Sequence, residues 1–171
     1  MKVILYFSSM ATPLDNPFWQ FSNHLYRNPQ VKTICLTLQN QWQYNVNLVL
    51  FCAWLGETKR LIHVMDMKNA VALVAETQSR LTEPLRRVRH YLASLPAEAA
   101  IKASYEPALQ LELVSESLQQ DALYRAFKDK PQADSLDTKQ QKLCYLHWLT
   151  DVMNQSLKEA IQRLFLDLIS F

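Results

Sequence analysis

One glycine, Gly56, occurs among the 171 residues of this chain, and that scarcity limits its possible folds more than any other feature. A dinucleotide-binding turn needs three glycines and a Walker loop needs at least two, because backbone must approach phosphate closely in both. Tight β-hairpin turns also draw heavily on glycine. The sequence therefore excludes both phosphate-binding motifs and predicts an all-α fold.

The length and composition suit one folded domain. Hydrophobic residues make up 49% of the chain and charged residues 20%, and the formal net charge of +2 is too small to indicate a nucleic-acid partner. No apolar run approaches the roughly 18 residues of a membrane span. We predict a single helical domain over residues 1–171, built as a bundle of about six or seven helices.

The amino-terminal half contains the most apolar helix. A helix with Asp15 or Asn16 as its N-cap is predicted to begin at Pro17 and to end at Asn28-Pro29, and a second helix is predicted from Pro29 to about Gln41. Asn45 is a plausible cap for a third helix, in which every residue of 46–55 except Asn47 is apolar. A helix that is apolar on all sides is surrounded by other elements, so we place it at the centre of the core and expect Gly56 to end it in the left-handed conformation.

The middle of the chain shows helical periodicity. With Asp66 as its expected N-cap, an apolar stripe runs from Ala70 to Leu92 and keeps its register across Pro84, which indicates a kinked helix or two nearly coaxial helices. Within it, Leu81, Leu85, Val88 and Leu92 are expected to face the core. A further helix over 109–127 carries two apolar stripes, which suggests that it is sandwiched between neighbours.

The ends of the chain are predicted as follows. Residues 1–14 form a tail or a short strand, since the apolar run 3–7 is shorter than a signal-peptide core of about 7–15 residues. The polar segment 128–138 is a mobile linker. One long last helix follows the 3.6-residue period for about eight turns, and its apolar end packs on the domain or forms a homodimer seam.

Several segments together resemble a known family. They are Phe18-Trp19-Gln20-Phe21-Ser22, Cys35-Leu36-Thr37-Leu38-Gln39, the run from Val46 to Leu55, and Pro84-Leu85-Arg86 leading into a basic helix. Over about residues 15–127 the chain resembles a family of small, uncharacterised proteobacterial proteins catalogued as a domain of unknown function. The resemblance implies an all-α fold and a cytoplasmic location, and it assigns no activity, cofactor or catalytic residue.

Residues with the potential for catalysis or metal binding are sparse. Cys35, Cys52 and Cys144 are too few and too far apart for a disulfide framework, so we expect free thiols in a reducing cytoplasm. Cys144 and His147 have a spacing that metal ligands use, but a closed zinc site needs four ligands. We therefore predict no metal site, cofactor or catalytic residue, and lean against an enzyme.

Two candidate binding sites remain. Arg80, Arg86, Arg87, Arg89 and His90 lie on a helix side roughly opposite the apolar stripe; this side is either simply solvated or a docking face for an acidic protein partner, and nucleic acid is disfavoured. Trp19, Tyr26, Trp42 and Tyr44 belong either to the core or to a pocket for an apolar ligand. We therefore expect a non-enzymatic interaction or adaptor protein, with a small-ligand-binding protein or an unrecognised enzyme as the alternative.

Overall fold

The computed structural model describes residues 16–96, 98–133, 137–156 and 158–171. Its α-helices, in chain order, are α1 (Pro17–Tyr26), α2 (Pro29–Trp42), α3 (Val46–Glu57), α4 (Val64–Thr77), α5 (Glu83–Ser94), α6 (Ala99–Phe127), α7 (Thr138–Val152) and α8 (Glu159–Leu168). A π-helical turn, Gln78–Thr82, joins α4 to α5 without a break, so these eight helices form seven rods. The all-α single-domain bundle is confirmed, and none of the described helices is long and apolar enough to cross a membrane.

Side-chain caps fix the starts of several helices. Asn16, Asn28, Asn45 and Asp137 each accept a backbone N–H of the first turn that follows, as N-caps do. The prediction that Asp66 is the N-cap of this helix is wrong. His63 is the N-cap of α4, and Asp66 lies three residues inside the helix, where its carboxylate accepts the His63 backbone N–H at 3.0 Å.

Helix α3 is the centre of the core, as predicted. Every residue from Val46 to Gly56 is buried, and α1, α2, α6 and α7 all pack against this helix. The ring of Phe51 lies 5.7 Å from that of Phe18 and 5.0 Å from that of Phe127. Aromatic pairs at such separations stabilise a core beyond the area that they bury.

Gly56 serves close helix packing rather than a left-handed turn, so that prediction is wrong. It lies inside α3, and the residue with positive φ after this helix is Lys59, at 52°. A Cβ atom on Gly56 would lie 2.3 Å from Lys142 Cγ and 3.0 Å from the Lys142 backbone nitrogen. The missing side chain therefore lets α7 approach α3 closely.

The prediction of a single long carboxy-terminal helix is also wrong. Helix α7 ends at Val152, Asn154 takes the left-handed conformation with φ of 51°, and α8 begins at Glu159. The turn brings α8 back against α2, which buries Ile161, Phe165, Leu168 and Ile169 in the core. Burial of these side chains outweighs the helical periodicity that runs through the turn.

The segment after α6 is joined to the loop before α4. The Ala133 backbone N–H donates to the Lys59 carbonyl at 3.1 Å and the Leu61 N–H donates to the Pro131 carbonyl at 2.7 Å, which forms an isolated antiparallel bridge. Residues 134–136 and the expected tail or strand over 1–14 lie outside the described residues. The mobility of 128–138 stays a prediction.

Candidate functional site

Helix α5 is oriented differently from the sequence prediction. No residue of α5 is buried, Leu81 and Val88 are exposed, and Arg86 and Arg89 instead face α6. Leu85 and Leu92 are half-buried but do not pack against the core cluster, so the prediction that Leu81, Leu85, Val88 and Leu92 face the core is wrong. The physical reason lies in α6, where Glu112 and Glu116 provide partners for both guanidinium groups.

The contact between α5 and α6 is a partly buried ion-pair cluster. Arg86 donates from Nε to Glu112 Oε1 at 2.9 Å and from Nη2 to Glu116 Oε1 at 2.8 Å. Arg89 donates from Nε and Nη2 to the two oxygens of Glu112, whose side chain is only 5% exposed. Charge-assisted bonds of this kind fix geometry strongly, so α5 is held in one orientation.

The two glutamates of this cluster titrate in opposite directions. Burial acts to raise the pKa of Glu112, but the hydrogen bonds from Arg89 and Arg86 outweigh it and leave the pKa below its usual value. At Glu116, burial is the stronger influence and raises the pKa despite the neighbouring Arg86. The Glu112 hydrogen bond in turn raises the pKa of Arg89.

An amide network continues the polar contact towards α3. Asn45 Nδ2 donates to Gln119 Oε1 at 2.8 Å, and Gln119 Nε2 donates to Thr82 Oγ1 at 2.7 Å. Gln78 Oε1 accepts from both Asn45 and Gln119, at 3.1 Å and 3.0 Å. Gln78 and Thr82 are the two ends of the π-helical turn, so this turn provides partners for the amides buried beneath it.

A polar groove of about 430 Å³ lies between α2 and α5. Its lining consists of Gln39, Asn40, Gln43, Tyr44, Gln78, Glu83, Arg86, Arg87 and His90. Arg87 is exposed and forms no ion pair or hydrogen bond with the described residues, whereas Glu83 accepts a hydrogen bond from Gln78 Nε2 at 3.1 Å. The groove therefore presents one unpaired guanidinium group among several amides.

The structure places the five predicted docking residues in three different environments. Arg86, Arg87 and His90 line the groove, Arg89 is committed to Glu112, and Arg80 pairs with Glu76 on the exposed side of the rod. His90 Nε2 lies 3.2 Å from Arg89 Nη2. Only part of the predicted basic face is thus free to meet another molecule.

The four aromatic residues of the alternative site do not share a pocket. Trp19 and Tyr26 line a cavity of about 120 Å³ beside α6, whereas Tyr44 is buried behind the α2–α5 groove. Trp42 lies elsewhere, with Lys158 Nζ at 4.8 Å from its ring centre. A cavity of about 120 Å³ is well below the roughly 300 Å³ of small-molecule sites.

The cysteines are poor nucleophiles in this environment. Burial raises the pKa of Cys35 to about 12, and it also raises the pKa of Cys52 and Cys144. A nucleophilic thiol needs a lowered pKa, so all three stay protonated at neutral pH. Within the described part of the chain, no three His, Cys, Asp or Glu residues are grouped to hold a metal ion, and this includes the surroundings of Cys144 and His147.

Sequence reasoning missed the acidic half of the ion-pair cluster. Glu112, Glu116 and Gln119 are spaced by four and three residues, a polar stripe between the two apolar stripes of α6. This spacing could have matched the three-residue spacing of Arg86 and Arg89, because such intervals place side chains on one side of a helix. The sequence analysis instead assigned the two apolar stripes of α6 to the contacts with neighbouring helices.

Comparison with known proteins agrees with the resemblance seen in the sequence. A family model described as a protein of unknown function (DUF2390) matches residues 17–123. No curated protein and no solved structure matches the chain. The matched region runs from α1 to Leu123 near the end of α6, so it includes the groove, the ion-pair cluster and the amide network. Because the match covers more than half of its residues, the chain belongs to the DUF2390 family, whose function is unknown.

Proposed function

We propose that this protein is a non-enzymatic interaction module that receives an acidic segment of a partner protein in the groove between α2 and α5. The observation that carries the proposal is the unpaired, exposed guanidinium group of Arg87 in a groove lined with amides. Arginine recognises carboxylates with two parallel hydrogen bonds, and amide side chains can pair with the backbone of an extended peptide.

The cluster behind the groove supports this role. Arg86 is fixed through Nε and Nη2 by Glu112 and Glu116, while its Nη1 makes no hydrogen bond with the described residues. A guanidinium group held in this way loses little conformational entropy when it binds a further acceptor. Three cysteines that remain thiols suit a reducing compartment, so we place the interaction in the cytoplasm.

The test compares two charge reversals on the same rod. Tagged wild-type protein, Arg87→Glu and Arg80→Glu would be used to purify partners from the native host, and affinity for the purified partner would then be measured by calorimetry. We expect Arg87→Glu to weaken binding by about tenfold or more, since like charges placed together cost several kcal/mol. Arg80→Glu is the control, because Arg80 is also exposed on this rod but lies outside the groove, where it pairs with Glu76.

The outcomes separate the proposal from simple electrostatics. Equal losses in both variants would indicate general attraction between a basic surface and an acidic protein, and would overturn the groove as the site. A simultaneous Arg86, Arg87 and Arg89 reversal is unsuitable, because it also destroys the contact of α5 with Glu112 and Glu116.

A small anionic ligand is the second candidate for the same groove. Its volume of about 430 Å³ falls within the range of small-molecule sites, roughly 300–1,000 Å³. A thermal-shift screen of cellular metabolites against wild type and Arg87→Glu distinguishes the two ideas. A metabolite that raises the melting temperature of wild type only would favour the ligand over a protein partner.

A further inference from the structure

A small cavity lies where α1, α3 and α6 meet. We call it the α1–α6 cavity; Ser22 of α1 and Glu116 and Gln120 of α6 belong to its lining, and its volume is about 120 Å³. Ser22 and Gln120 are 4% and 3% exposed, and neither Ser22 Oγ nor Gln120 Oε1 has a hydrogen-bond partner among the described residues. An unsatisfied polar atom costs stability when it is buried, so such atoms are rare. Two of them in the lining of one cavity indicate a binding site for a polar group.

The N-cap of α3 determines which atom of Gln120 is left without a partner. Asn45 Oδ1 accepts the Asn47 backbone N–H at 2.9 Å, so Asn45 Nδ2 is the atom that donates to Gln119 Oε1, at 2.8 Å. Asn47 Nδ2 donates to the same oxygen at 3.3 Å, which leaves Asn47 Oδ1 to accept from Gln120 Nε2 at 2.8 Å. Because each side-chain amide has one oxygen and one nitrogen, this order leaves Gln120 with an unused acceptor. The α1–α6 cavity therefore needs a ligand that donates hydrogen bonds.

The cavity also contains a carboxylate whose charge is only partly compensated. Glu116 Oε1 accepts from Arg86 Nη2 at 2.8 Å, whereas Glu116 Oε2 forms no hydrogen bond with the described residues. Burial raises the pKa of Glu116 despite the neighbouring arginine, which means that its environment favours the uncharged form. Among the lining residues that the structure describes, none is a lysine, an arginine or a histidine. A second cation beside Oε2 would therefore be stabilised there.

Helix α1 contributes two aromatic residues to the same cavity. Trp19 and Tyr26 stand seven residues apart, which is about two turns along one side of the helix, and Ser22 lies between them on that side. Aromatic rings attract cations through the partial negative charge of their faces. The volume of about 120 Å³ is too small for a drug-sized ligand, but it approaches the roughly 150 Å³ of a cavity that holds benzene. The α1–α6 cavity therefore suits a cation of only a few heavy atoms.

We infer that the α1–α6 cavity binds the primary ammonium group of a small alkylamine. Such a group has three N–H donors and no acceptor, which equals in number the three unused oxygens, namely Gln120 Oε1, Glu116 Oε2 and Ser22 Oγ. Its positive charge complements the carboxylate. Its short alkyl part is compatible with the apolar side chains of the lining, Leu50 and Leu113. A water molecule can donate to the same oxygens, but it does not compensate the charge of the carboxylate.

The size of the ligand sets the expected affinity and the first measurement. For a molecule of about three heavy atoms, such as ethylammonium, the best attainable Kd is about 1 mM. At that Kd, about 30 mM ligand should raise the Tm by about 4–8 °C, because a ligand that binds only the folded protein stabilises it by mass action. Thermal unfolding of the full chain in ethylammonium chloride at neutral pH measures the shift. Sodium chloride at equal concentration is the control for ionic strength.

Substitutions in the lining test which groups hold the ammonium ion, with Kd measured by chemical-shift titration. Glu116→Gln should weaken ethylammonium binding by about tenfold or more, because it removes the charge of the acceptor. Ser22→Ala should weaken binding by about fivefold, yet it should not lower the Tm of the protein without ligand, because the hydroxyl that it removes has no partner. A purely structural role of Ser22 predicts the reverse, a lower Tm and an unchanged Kd. The control is Glu76→Gln, an exposed carboxylate outside the cavity, which should keep the wild-type Kd.

Two comparison compounds separate the ammonium group from charge or size alone. Tetramethylammonium has the charge but no N–H donor, and ethanol has the size but no charge, so neither should raise the Tm beyond the sodium chloride control. Ser22 does not line the α2–α5 groove, so the Ser22→Ala result is independent of the proposed function. No shift with ethylammonium, an equal shift with tetramethylammonium, or a Kd that both Glu116→Gln and Ser22→Ala leave unchanged would overturn the inference.

Discussion

At the scale of single residues, Glu112 and Glu116 show how the position of a carboxylate decides its contribution to stability. The two residues stand one helical turn apart on α6, and both accept hydrogen bonds from Arg86. Glu112 also accepts hydrogen bonds from Arg89, so its carboxylate forms ion pairs with two arginines. Glu116 forms an ion pair with Arg86 alone, and burial has the larger effect on its pKa. The pKa therefore falls at one residue and rises at the other.

These opposite shifts predict opposite effects of pH. The folded pKa of Glu112 lies below the ordinary glutamate pKa of 4.5, so its contribution to stability is present above that value and is lost as the pH falls through the folded pKa. The folded pKa of Glu116 lies above 4.5, so its contribution is present below 4.5 and is lost as the pH rises through the folded pKa.

Substitution by glutamine separates the two residues. Glu112→Gln should lower the free energy of unfolding by about 3 kcal/mol at neutral pH, because it leaves Arg89 without a carboxylate partner and Arg86 with Glu116 alone. It should also flatten the loss of stability on acidification below about pH 4.5. Glu116→Gln should cost less at neutral pH, because a neutral amide is cheaper to bury. Urea unfolding at a series of pH values measures both, and an equal cost for the two variants would contradict this account.

At the scale of elements, α8 shows why a terminal apolar segment can belong to the core. Helix α8 returns along α2, and the ring of Phe165 lies 5.7 Å from that of Tyr44, beside the core helix α3. The apolar side of α8 is therefore covered by its own chain. Leu166 and Phe171 stay exposed at the end of the molecule.

Removal of residues 164–171 tests this role of α8. If the apolar end of the chain formed a homodimer seam, this truncation would leave a soluble monomer. The structure predicts a loss of stability instead, because Phe165 and Leu168 each contribute about 1.5–3 kcal/mol by burial, out of a total of about 5–15 kcal/mol. Thermal unfolding followed by circular dichroism measures the effect. A truncated protein with the melting temperature of wild type would show that α8 is dispensable.

At the scale of the whole molecule, stability is distributed unevenly. Helix α3 is buried along nearly its whole length among four other helices, whereas α5 buries no residue and depends on polar contacts with α6. Regions with few buried apolar contacts open at lower free energy than the core does.

Hydrogen exchange should reveal this difference. In dilute protein, the backbone amides of α5 should exchange faster than those of α3, with the amides of α6 between Gln119 and Phe127 closer to α3. Nuclear magnetic resonance or mass spectrometry resolves the three regions. Uniform protection of α3 and α5 would mean that the polar cluster holds α5 as firmly as core packing holds α3.

Local signals in the sequence were sufficient for much of the fold. One glycine in the chain predicted helices, Asn16 and Asn45 marked the starts of two of them, and the apolar run 46–55 located the central helix. Each of these features depends on residues a few positions apart, or on a helix so apolar that only one environment suits it. The family resemblance was likewise carried by short runs of residues.

Tertiary structure decided the features in which two sequence-distant segments compete for the same contacts. The role of Gly56 depends on Lys142, and the break between α7 and α8 depends on the surface that α2 offers. The orientation of α5 depends on Glu112, because a pair of arginines that meets a buried carboxylate can outweigh a stripe of leucines. Periodicity records which residues share one side of a helix, but only the partner across the contact determines which side faces inward.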